Sequence, residues 1–428
     1  MQVILWLEKA LWSGPLLLGL MGSHLYFTLG LRGIQRRTLQ GIRYSLCGDG
    51  GGVTSFGALT TALAAAIGTG NIIGVATAVA LGGPGAVFWC WLTGVLGMAT
   101  RYAETVLVLR HRRQRPDGTI AGGAMYVLED RLHMPRTARC FAGLGVAAAV
   151  GTGALIQSNA LATVLRPQIS PVLTGLGTTI LSATVILGGI RSISKCCEQL
   201  VPAMAGLYLL GCLAVLWVYR QYVPQALQVI VTGAFVPRAP VGGFVGSTIL
   251  SAARSGTARG LFTNEAGMGT APMAAAAVPS PDPAREALVS MTGVFWDTVV
   301  LCAMTGLMLV SAMLGAPEQF VHTDPGTMCT LAFSAIPFGA QLLTLCLMTF
   351  VFSTIVGWCW YGVCCWRYLF GNTRSWYRVL YLSAVFLGAL GGLELVWSLG
   401  GVLAGLMAIP NLICLWRLRR EAIGCLPE

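Results

Sequence analysis

Gly68-Thr69-Gly70-Asn71 interrupts an apolar, charge-free stretch that runs from residue 56 to residue 81. A stretch in the other half of the chain is interrupted in the same way, by Gly260-Leu-Phe-Thr-Asn-Glu265-Ala-Gly-Met-Gly269. Glycine-rich interruptions free backbone N–H and C=O groups, and hydrocarbon offers these groups no hydrogen-bond partner. Such a break is tolerated in a membrane only where it lines a site enclosed by protein. Paired broken helices in two halves of a chain are typical of inverted-repeat secondary transporters, which bind substrate and coupling ion near the bilayer midplane.

Close helix packing is the alternative interpretation of the first interruption. Gly70 and Gly74 form a G-x-x-x-G face, which lets two helices approach without any ligand. Polar or ionisable groups in an apolar zone need partners, and they favour a binding site. Four such residues accompany the two breaks: Thr69, Asn71, Asn264 and Glu265.

The composition indicates an all-α polytopic membrane protein with one transmembrane domain, residues 1–428. Of 428 residues, 55% are hydrophobic and only 10% are charged, which is unlike a soluble enzyme. The net charge of +11 comes from short basic clusters between apolar stretches, so it reports membrane topology and predicts no nucleic-acid partner. The 14 cysteines show no C-x-x-C or Cys/His spacing, so we expect no metal cofactor.

Eleven apolar stretches are long enough to cross about 30 Å of hydrocarbon. They predict transmembrane helices near residues 11–31, 56–81, 84–109, 141–164, 171–190, 199–219, 241–278, 287–312, 338–366, 376–391 and 394–416.

The basic residues predict the orientation of these helices. With the N-terminus placed outside, the clusters around Arg36, Arg112 and Arg419 fall on the cytoplasmic side, where such residues accumulate. The C-terminus is then cytoplasmic. Two further stretches, near residues 223–235 and 315–338, are too short or too polar to span, and we expect helices there on the outer surface. We expect the cytoplasmic loop, residues 111–139, to lie on the inner surface in the same way.

The positions of the breaks predict an internal repeat. If 11–31 is an extra helix, ten spans remain, and the breaks lie in the first and the sixth. This divides the chain into a first five-helix repeat, 56–219, and a second, 241–416. We therefore predict a 5+5 inverted topology.

Long stretches of the chain resemble one known family. They are Ala58 to Ala76, Gly82 to Trp89, Gly97 to Glu104, Gly260 to Pro272, Phe352 to Trp358 and Gly405 to Asn411. They are similar to the alanine/glycine:cation symporters, also called sodium:alanine symporters, of the amino acid-polyamine-cation superfamily. The resemblance implies a leucine-transporter-type fold with an extra N-terminal helix, and sodium-coupled uptake of alanine or glycine. Ala66 and Ala124 depart from the family pattern, where a basic residue and a proline are usual.

An amino acid zwitterion needs donors for its carboxylate and acceptors for its ammonium, and broken helices supply both. The N–H groups freed at Thr69, Gly70 and Asn71 are the predicted carboxylate site. Carbonyl groups around Phe262 and Thr263, extending to Asn264, are the predicted ammonium acceptors. By fold analogy, the Phe262 ring forms a wall of the cavity.

Three further side chains are candidates for substrate contact. Thr354 and Trp358 are four residues apart and share a helix face, which the resemblance places against the substrate. Trp358 would then limit the side-chain pocket to a methyl group or hydrogen; ordinary packing is the alternative. Gln157, with Asn159 nearby, is a predicted hydrogen-bond partner of the substrate, and the alternative is a polar bond between helices.

Sodium is a hard cation that prefers oxygen ligands. One predicted site, by fold analogy, comprises backbone oxygens and hydroxyls: Ala64, Ile67, Ser353 and Thr354. A second predicted site comprises Asn71, Thr263 and Asp297, although Asp297 has proton transfer or internal pairing as alternatives.

The remaining charged residues near the breaks are interpreted as structural. Glu265 is expected to pair with Arg254 or Arg259, or to cap the break. Arg101 and Glu104, three residues apart, are expected to form a local pair at the cytoplasmic edge.

Two functional alternatives stay open beside sodium-coupled uptake. One is proton coupling through Asp297 or Glu265. The other is an integral membrane enzyme, which is disfavoured because the sequence contains no H-E-x-x-H or G-x-S-x-G motif. The expected partners are a small neutral amino acid, sodium and the lipid bilayer of a bacterial cytoplasmic (inner) membrane, with no obligate protein partner and no cofactor.

Overall fold

The computed structural model describes residues 2–12, 14–47, 53–115, 119–166, 168–237, 248–321, 323–371 and 374–426. Within these ranges the protein is almost entirely helical, as predicted. Residues 241–247, the start of the predicted second repeat and of its first span, lie outside the described residues.

The described residues of the first half of the chain form twelve α-helices. They are α1 (Gln2–Trp12), α2 (Pro15–Gly30), α3 (Thr38–Leu46), α4 (Ser55–Ala66), α5 (Val75–Gly82), α6 (Gly85–Arg110), α7 (Ala124–Tyr126), α8 (Pro135–Ala148), α9 (Gln157–Leu165), α10 (Pro171–Ile186), α11 (Gly189–Val218) and α12 (Val223–Gly233).

Ten α-helices follow within the described residues of the second half. They are α13 (Ile249–Asn264), α14 (Pro272–Ala275), α15 (Pro283–Val294), α16 (Ala303–Gly315), α17 (Pro317–Phe320), α18 (Pro325–Phe333), α19 (Gly339–Phe370), α20 (Arg374–Leu390), α21 (Leu393–Arg417) and α22 (Arg419–Ile423).

Short segments of other geometry connect or interrupt these helices. π-helical segments cover Gly70–Gly74, Val127–Arg131, Ala149–Ile156 and Phe295–Cys302; 3₁₀ turns cover Ile34–Arg37 and Arg220–Tyr222; and β1 (Arg113–Gln114) pairs antiparallel with β2 (Ile120–Ala121). π-Helical segments inside α-helices are often found at functional sites.

Several of the helices have the length and composition of membrane spans. Among the described residues, five continuous helices qualify, and the number rises to seven if each of two bent pairs is one span. Residues 171–186 and 376–390 form shorter apolar helices. Helix α6 carries Arg101, Glu104 and Arg110, and α13 is only 16 residues long, so the eleven spans and their orientation stay a prediction.

The loops differ in part from the sequence prediction. Helices are present where surface helices were expected, at Val223–Gly233 and Pro325–Phe333. The cytoplasmic loop was expected to lie on a membrane surface, but Val127 and Leu128 are fully buried. The short β1–β2 hairpin precedes this buried segment and was not predicted.

The packing of the helices places both interruptions inside the protein. Helix α13 packs on α5 and α6, and α19 packs on α4, α8 and α11. The described apolar side chains form two large buried clusters, and α4 contributes Ala65 to one and Leu63 and Ala64 to the other. The end of α4 therefore lies where the two cores meet.

Candidate functional site

The first break (residues 67–69) separates α4 from the segment that starts at Gly70. The helices on either side are bent by 55°. The Gly68 N–H donates to the Asn71 Oδ1 at 3.0 Å. In a continuous α-helix this N–H would donate to the carbonyl of Ala64, so that carbonyl is released at the end of α4.

Two residues of α19 contact the carbonyl groups at the end of α4. The Thr354 hydroxyl donates to the Ile67 carbonyl oxygen at 3.1 Å, and the Trp358 indole N–H donates to the Ala65 carbonyl oxygen at 3.2 Å. Both side chains are buried, as the shared helix face predicts. Ser353 is buried beside them, with its hydroxyl donating to the Phe350 carbonyl.

Gln157 also approaches the first break. The Thr69 hydroxyl donates to the Gln157 Oε1 at 3.3 Å. A methyl group added at Gly68 would lie 2.8 Å from the Thr354 hydroxyl and 3.4 Å from the Gln157 Oε1. Gly68 therefore permits the close approach of both side chains. Asn159 instead donates to carbonyl groups of residues 388 and 391, which is a bond between helices.

The predicted carboxylate site is only partly available in this structure. The Asn71 N–H, one of three predicted donors, already donates to the Gly68 carbonyl oxygen at 3.2 Å. Among the predicted ammonium acceptors, the Asn264 carbonyl oxygen is occupied by the Arg101 guanidinium at 2.5 Å.

Asn71, Thr263 and Asp297 lie together, as the second predicted ion site requires. The Asn71 amide donates to the Asp297 carboxylate at 2.7 Å. The Cys302 sulfur lies 3.3 Å from the Asn71 amide nitrogen and 3.8 Å from the Thr263 hydroxyl. Because the amide oxygen of Asn71 faces the Gly68 N–H, it would have to turn away from Gly68 to ligate an ion. The Thr298 hydroxyl also donates to the Asp297 carboxylate.

The second break (residues 265–271) has a different backbone. Glu265 ends α13 in the left-handed region, at φ +53°, and Gly267 and Gly269 follow at φ +88° and +78°. Positive φ is uncommon outside glycine, so the chain turns sharply here before α14. The Glu265 carboxylate accepts a hydrogen bond from the Thr270 hydroxyl at 2.6 Å, which closes the turn.

A buried ion pair holds the second break. Glu104 accepts hydrogen bonds from the N–H groups of Gly267 (3.1 Å) and Gly269 (3.2 Å), and from the Asn411 amide (3.1 Å). Arg101 pairs with Glu104 at 3.2 Å. The freed backbone groups of this break are thus satisfied by side chains of α6 and α21.

The structure decides between the expectations about the charged residues. Arg101 and Glu104 pair as predicted, and the pair is buried against the second break. Of the two alternatives for Glu265, the described contact is a cap of the break through Thr270 and not an arginine pair. The Arg259 guanidinium lies over the Phe262 ring, 5.6 Å from its centroid, because the two residues are three positions apart on α13 and share a helix face.

Phe262 lines a cleft of about 490 Å³. Its ring meets Trp12 of α1 edge-on, with centroids 6.0 Å apart, and Arg254 and Arg259 also line the cleft. The Trp12 indole donates to the Gly401 carbonyl oxygen at 3.0 Å. The predicted role of Phe262 as a cavity wall fits this position, although the cleft extends along α5 and α13 away from the first break.

The atoms that could act as cation ligands determine which cations the site can bind. No group of three or more His, Cys, Asp or Glu side chains that could hold a metal ion occurs in the part of the chain that the structure describes. The first predicted site instead brings together neutral oxygens of α4 and α19, namely the Ile67 carbonyl and the Thr354 hydroxyl. Carbonyl and hydroxyl oxygens suit a hard cation.

Sequence reasoning missed Cys302 and Asn411 and underrated Glu104. Cys302 is one of 14 cysteines and has no distinguishing motif. Glu104 and Arg101 carried a signal, since two charges lie within a long apolar helix. Their partner segment is more than 160 residues distant in the sequence, and no periodicity reveals such a contact.

The model of the sodium:alanine symporter family matches residues 1–428. The chain belongs to this family. The symporter is 44% identical over 428 residues to an uncharacterized transporter of Haemophilus influenzae, covering 97% of this chain and 93% of that one. It is 42% identical over 416 residues to the sodium/alanine symporter AgcS of Methanococcus maripaludis, covering 94% and 91%.

A solved structure confirms the type of fold. The symporter resembles MhsT, crystallised in complex with L-phenylalanine, with a TM-score of 0.60 at 16% identity, over 85% of this chain and 88% of that one. The symporter is therefore a helical, multi-pass membrane transporter with leucine-transporter-type neighbours. Membership of a transporter family also excludes the enzyme alternative.

Proposed function

We propose that this symporter couples inward sodium movement to the uptake of a small neutral amino acid, alanine or glycine, by alternating access. The observation that carries the proposal is the meeting of α4 and α19 at the first break, where Thr354 lies 3.1 Å from the Ile67 carbonyl oxygen. The released Ala64 carbonyl and the Ser353 hydroxyl complete a set of neutral oxygens. The relative named as a sodium/alanine symporter supports the same ion and substrate.

The amino acid is proposed to bind beside this ion, at Thr69, Gly70 and Asn71. Gln157 contacts the Thr69 hydroxyl and is the proposed polar partner of the substrate. Thr263 closes the opposite side, since a methyl group added at Gly70 would lie 2.9 Å from its Cγ2. With Trp358 filling the adjacent space and Phe262 at the cleft, the site suits a side chain no larger than a methyl group.

The choice of sodium over a proton follows from the ligands. Carbonyl and hydroxyl oxygens at the first proposed ion site neither gain nor lose a proton near neutral pH, but they do ligate sodium. Proton coupling is the second candidate, because the Asp297 carboxylate is buried 2.7 Å from the Asn71 amide. In the sodium mechanism, Asn71, Thr263 and Asp297 form a second ion site.

The proposed topology has eleven spans, with the N-terminus outside and the C-terminus in the cytoplasm. Residues 56–219 and 241–416 form inverted five-helix repeats, and residues 11–31 form the extra helix. The setting is the cytoplasmic membrane of a bacterium. Alternating access then rocks one bundle against another around the two breaks.

The energetics suit accumulation of a scarce nutrient. A membrane potential of about 100 mV contributes about 2.3 kcal/mol per sodium ion. A tenfold sodium gradient contributes about 1.4 kcal/mol more. One sodium ion per amino acid would sustain an accumulation of roughly several hundredfold.

Uptake of labelled alanine into proteoliposomes tests the proposal. At fixed pH, an inward sodium gradient is expected to drive accumulation, and replacement of sodium by potassium is expected to abolish it. Undiminished uptake in sodium-free buffer at the same pH would contradict sodium coupling. Competition by unlabelled glycine and by larger amino acids then measures the size limit of the pocket.

A further inference from the structure

A basic pocket of about 500 Å³ lies at the C-terminal end of α19. Among the described residues, its lining includes four arginines, Arg113, Arg115, Arg139 and Arg367, and one carboxylate, Glu129. They come from the β1–β2 hairpin, from the start of α8 and from the end of α19. The pocket therefore joins three segments that are distant in sequence.

Two tyrosines line the pocket, Tyr126 and Tyr368, and Tyr126 contacts two of these arginines. The Arg115 guanidinium donates to the Tyr126 hydroxyl at 2.5 Å, and the Arg113 guanidinium lies 5.3 Å from the centroid of the same ring. Tyr126 in turn meets Tyr368 of α19 edge-on, with ring centroids 5.2 Å apart. The hairpin is closed by the Arg115 N–H, which donates to the Thr119 carbonyl at 2.9 Å. The site is thus built before any ligand binds.

Among the described residues that line the pocket, positive charges outnumber negative charges. Arg113 is neutralised by Glu129 and Asp130, with which it forms ion pairs. Arg115 bonds to a neutral hydroxyl, so its positive charge is not compensated by that contact. Arg139 is exposed at the rim. Guanidinium groups bind phosphate oxygens in bidentate geometry, so a phosphate group is the complementary ligand.

The surroundings of the pocket indicate where the phosphate comes from. Leu369 is part of its lining, and the adjacent Phe370 side chain is 57% exposed at the end of α19. Helix α8 begins beside the pocket, and helix α19 ends beside it. A basic pocket between such helix ends lies at the depth of lipid headgroups, where anionic lipids bind.

We propose that this pocket binds the phosphate headgroup of an anionic phospholipid. The headgroup bridges the start of α8 and the end of α19, and α19 carries Ser353, Thr354 and Trp358. Its effect on uptake rests on the proposed function, but its binding does not. Occupation of the pocket stabilises the packing of α19 against α8 and the loop.

The test measures lipid binding to the purified protein in a neutral detergent. Phosphatidylglycerol is titrated, with phosphatidylcholine and glycerol phosphate as parallel arms, and bound lipid is counted by native mass spectrometry alongside the thermal unfolding midpoint. The pocket variant is Arg139→Gln with Arg367→Gln. The matched control is Arg417→Gln with Arg420→Gln, which removes the same charge from exposed positions near the C-terminus.

For the unsubstituted protein and the control variant, we expect one tightly bound phosphatidylglycerol in the mass spectrum. The same lipid is expected to raise the thermal unfolding midpoint of both. The pocket variant is expected to need at least about tenfold more lipid, a loss of about 1.4 kcal/mol. Equal weakening in both variants, or an equal response to phosphatidylcholine, would overturn the site. A glycerol phosphate response as large as that of phosphatidylglycerol would overturn the lipid assignment.

A single Arg139→Gln variant covers the case in which the double variant does not fold, because Arg139 is exposed. Weaker lipid binding in this variant supports the proposal, and unchanged binding contradicts it. Lipid binding is read without transport. Failure of sodium-driven uptake with intact lipid binding therefore counts against the proposed function alone.

Discussion

Both breaks place unwound backbone inside the protein, and different kinds of side chain hydrogen-bond to that backbone in each break. The first break is held by neutral groups, namely the Asn71 amide and the Thr354 hydroxyl. The second break is held by the buried carboxylate of Glu104 and its partner Arg101. Both are packed by surrounding helices, so burial alone does not distinguish them.

The difference assigns a separate task to each break. A carboxylate that accepts three hydrogen bonds fixes the backbone around Gly267 and Gly269, and it leaves these N–H groups unavailable to a ligand. Hydroxyl and amide contacts at the first break are weaker and can be exchanged for an ion or a zwitterion. The second break thus serves as a rigid support, and the first break as the proposed ligand site.

The largest effect is expected from removal of the support. Glu104→Ala leaves Arg101 buried without its partner and removes the acceptor of the Gly267 and Gly269 N–H groups, so folding should lose about 3–5 kcal/mol. Denaturant titration of the purified protein measures this. The control is Glu421→Ala, which breaks partly exposed pairs with His111 and Arg131 and should cost less than about 1 kcal/mol. Equal losses in the two variants would remove the special role of the second break.

Asp297→Asn is expected to have the next largest effect, on transport and not on folding. The amide retains the size of the carboxylate and an acceptor for Asn71, so the unfolding midpoint should change little. Loss of the negative charge should raise the sodium concentration for half-maximal alanine uptake about 10- to 100-fold. This factor corresponds to the loss of one hydrogen bond to a charged group. Glu318→Gln, exposed on α17, is the control. Normal sodium activation in Asp297→Asn would exclude Asp297 from the ion site.

Thr354→Val tests the hydroxyl that meets α4. The expected result is an increase of about tenfold in the sodium concentration for half-maximal uptake, or about 1.4 kcal/mol, with a smaller effect on the maximal rate. Thr349→Val makes the same change one turn earlier on α19, where the hydroxyl bonds only its own helix. If both variants behave alike, the Thr354 hydroxyl is not a sodium ligand.

The smallest effect is expected from Trp358→Phe, which keeps an aromatic ring and removes the indole N–H. The Ala65 carbonyl then loses its donor, and a net loss of about 1 kcal/mol should weaken alanine binding roughly fivefold. Trp416→Phe, which loses a comparable bond to Ser23 at 2.9 Å, is the control. Alanine affinity that falls in the control but not in Trp358→Phe would show that the indole N–H does not organise the site.

The positions of both breaks could be predicted because glycine and polar residues inside an apolar stretch are local signals. The shared face of Thr354 and Trp358 was equally predictable, since it follows from a spacing of four on a helix. In the structure, both side chains reach the carbonyl groups at the end of α4.

The support of the second break could not be predicted, because it depends on contacts between segments far apart in sequence. Arg101 and Glu104 pair locally as expected, yet their main partners are the backbone at Asn264, Gly267 and Gly269. A spacing of three predicts the pair but not what it faces. For Glu265 the sequence left an arginine pair and a cap of the break as alternatives, and its contact is Thr270 within the break.

Equilibrium binding of labelled alanine to the purified protein tests the central claim most directly, that ion and substrate share the first break. The measurement is made in detergent without any gradient, at matched concentrations of sodium chloride or potassium chloride. Direct coupling between adjacent sites predicts a Kd at least about tenfold lower in sodium, and Thr354→Val should reduce that difference while Thr349→Val preserves it. The same Kd in both salts would contradict the account.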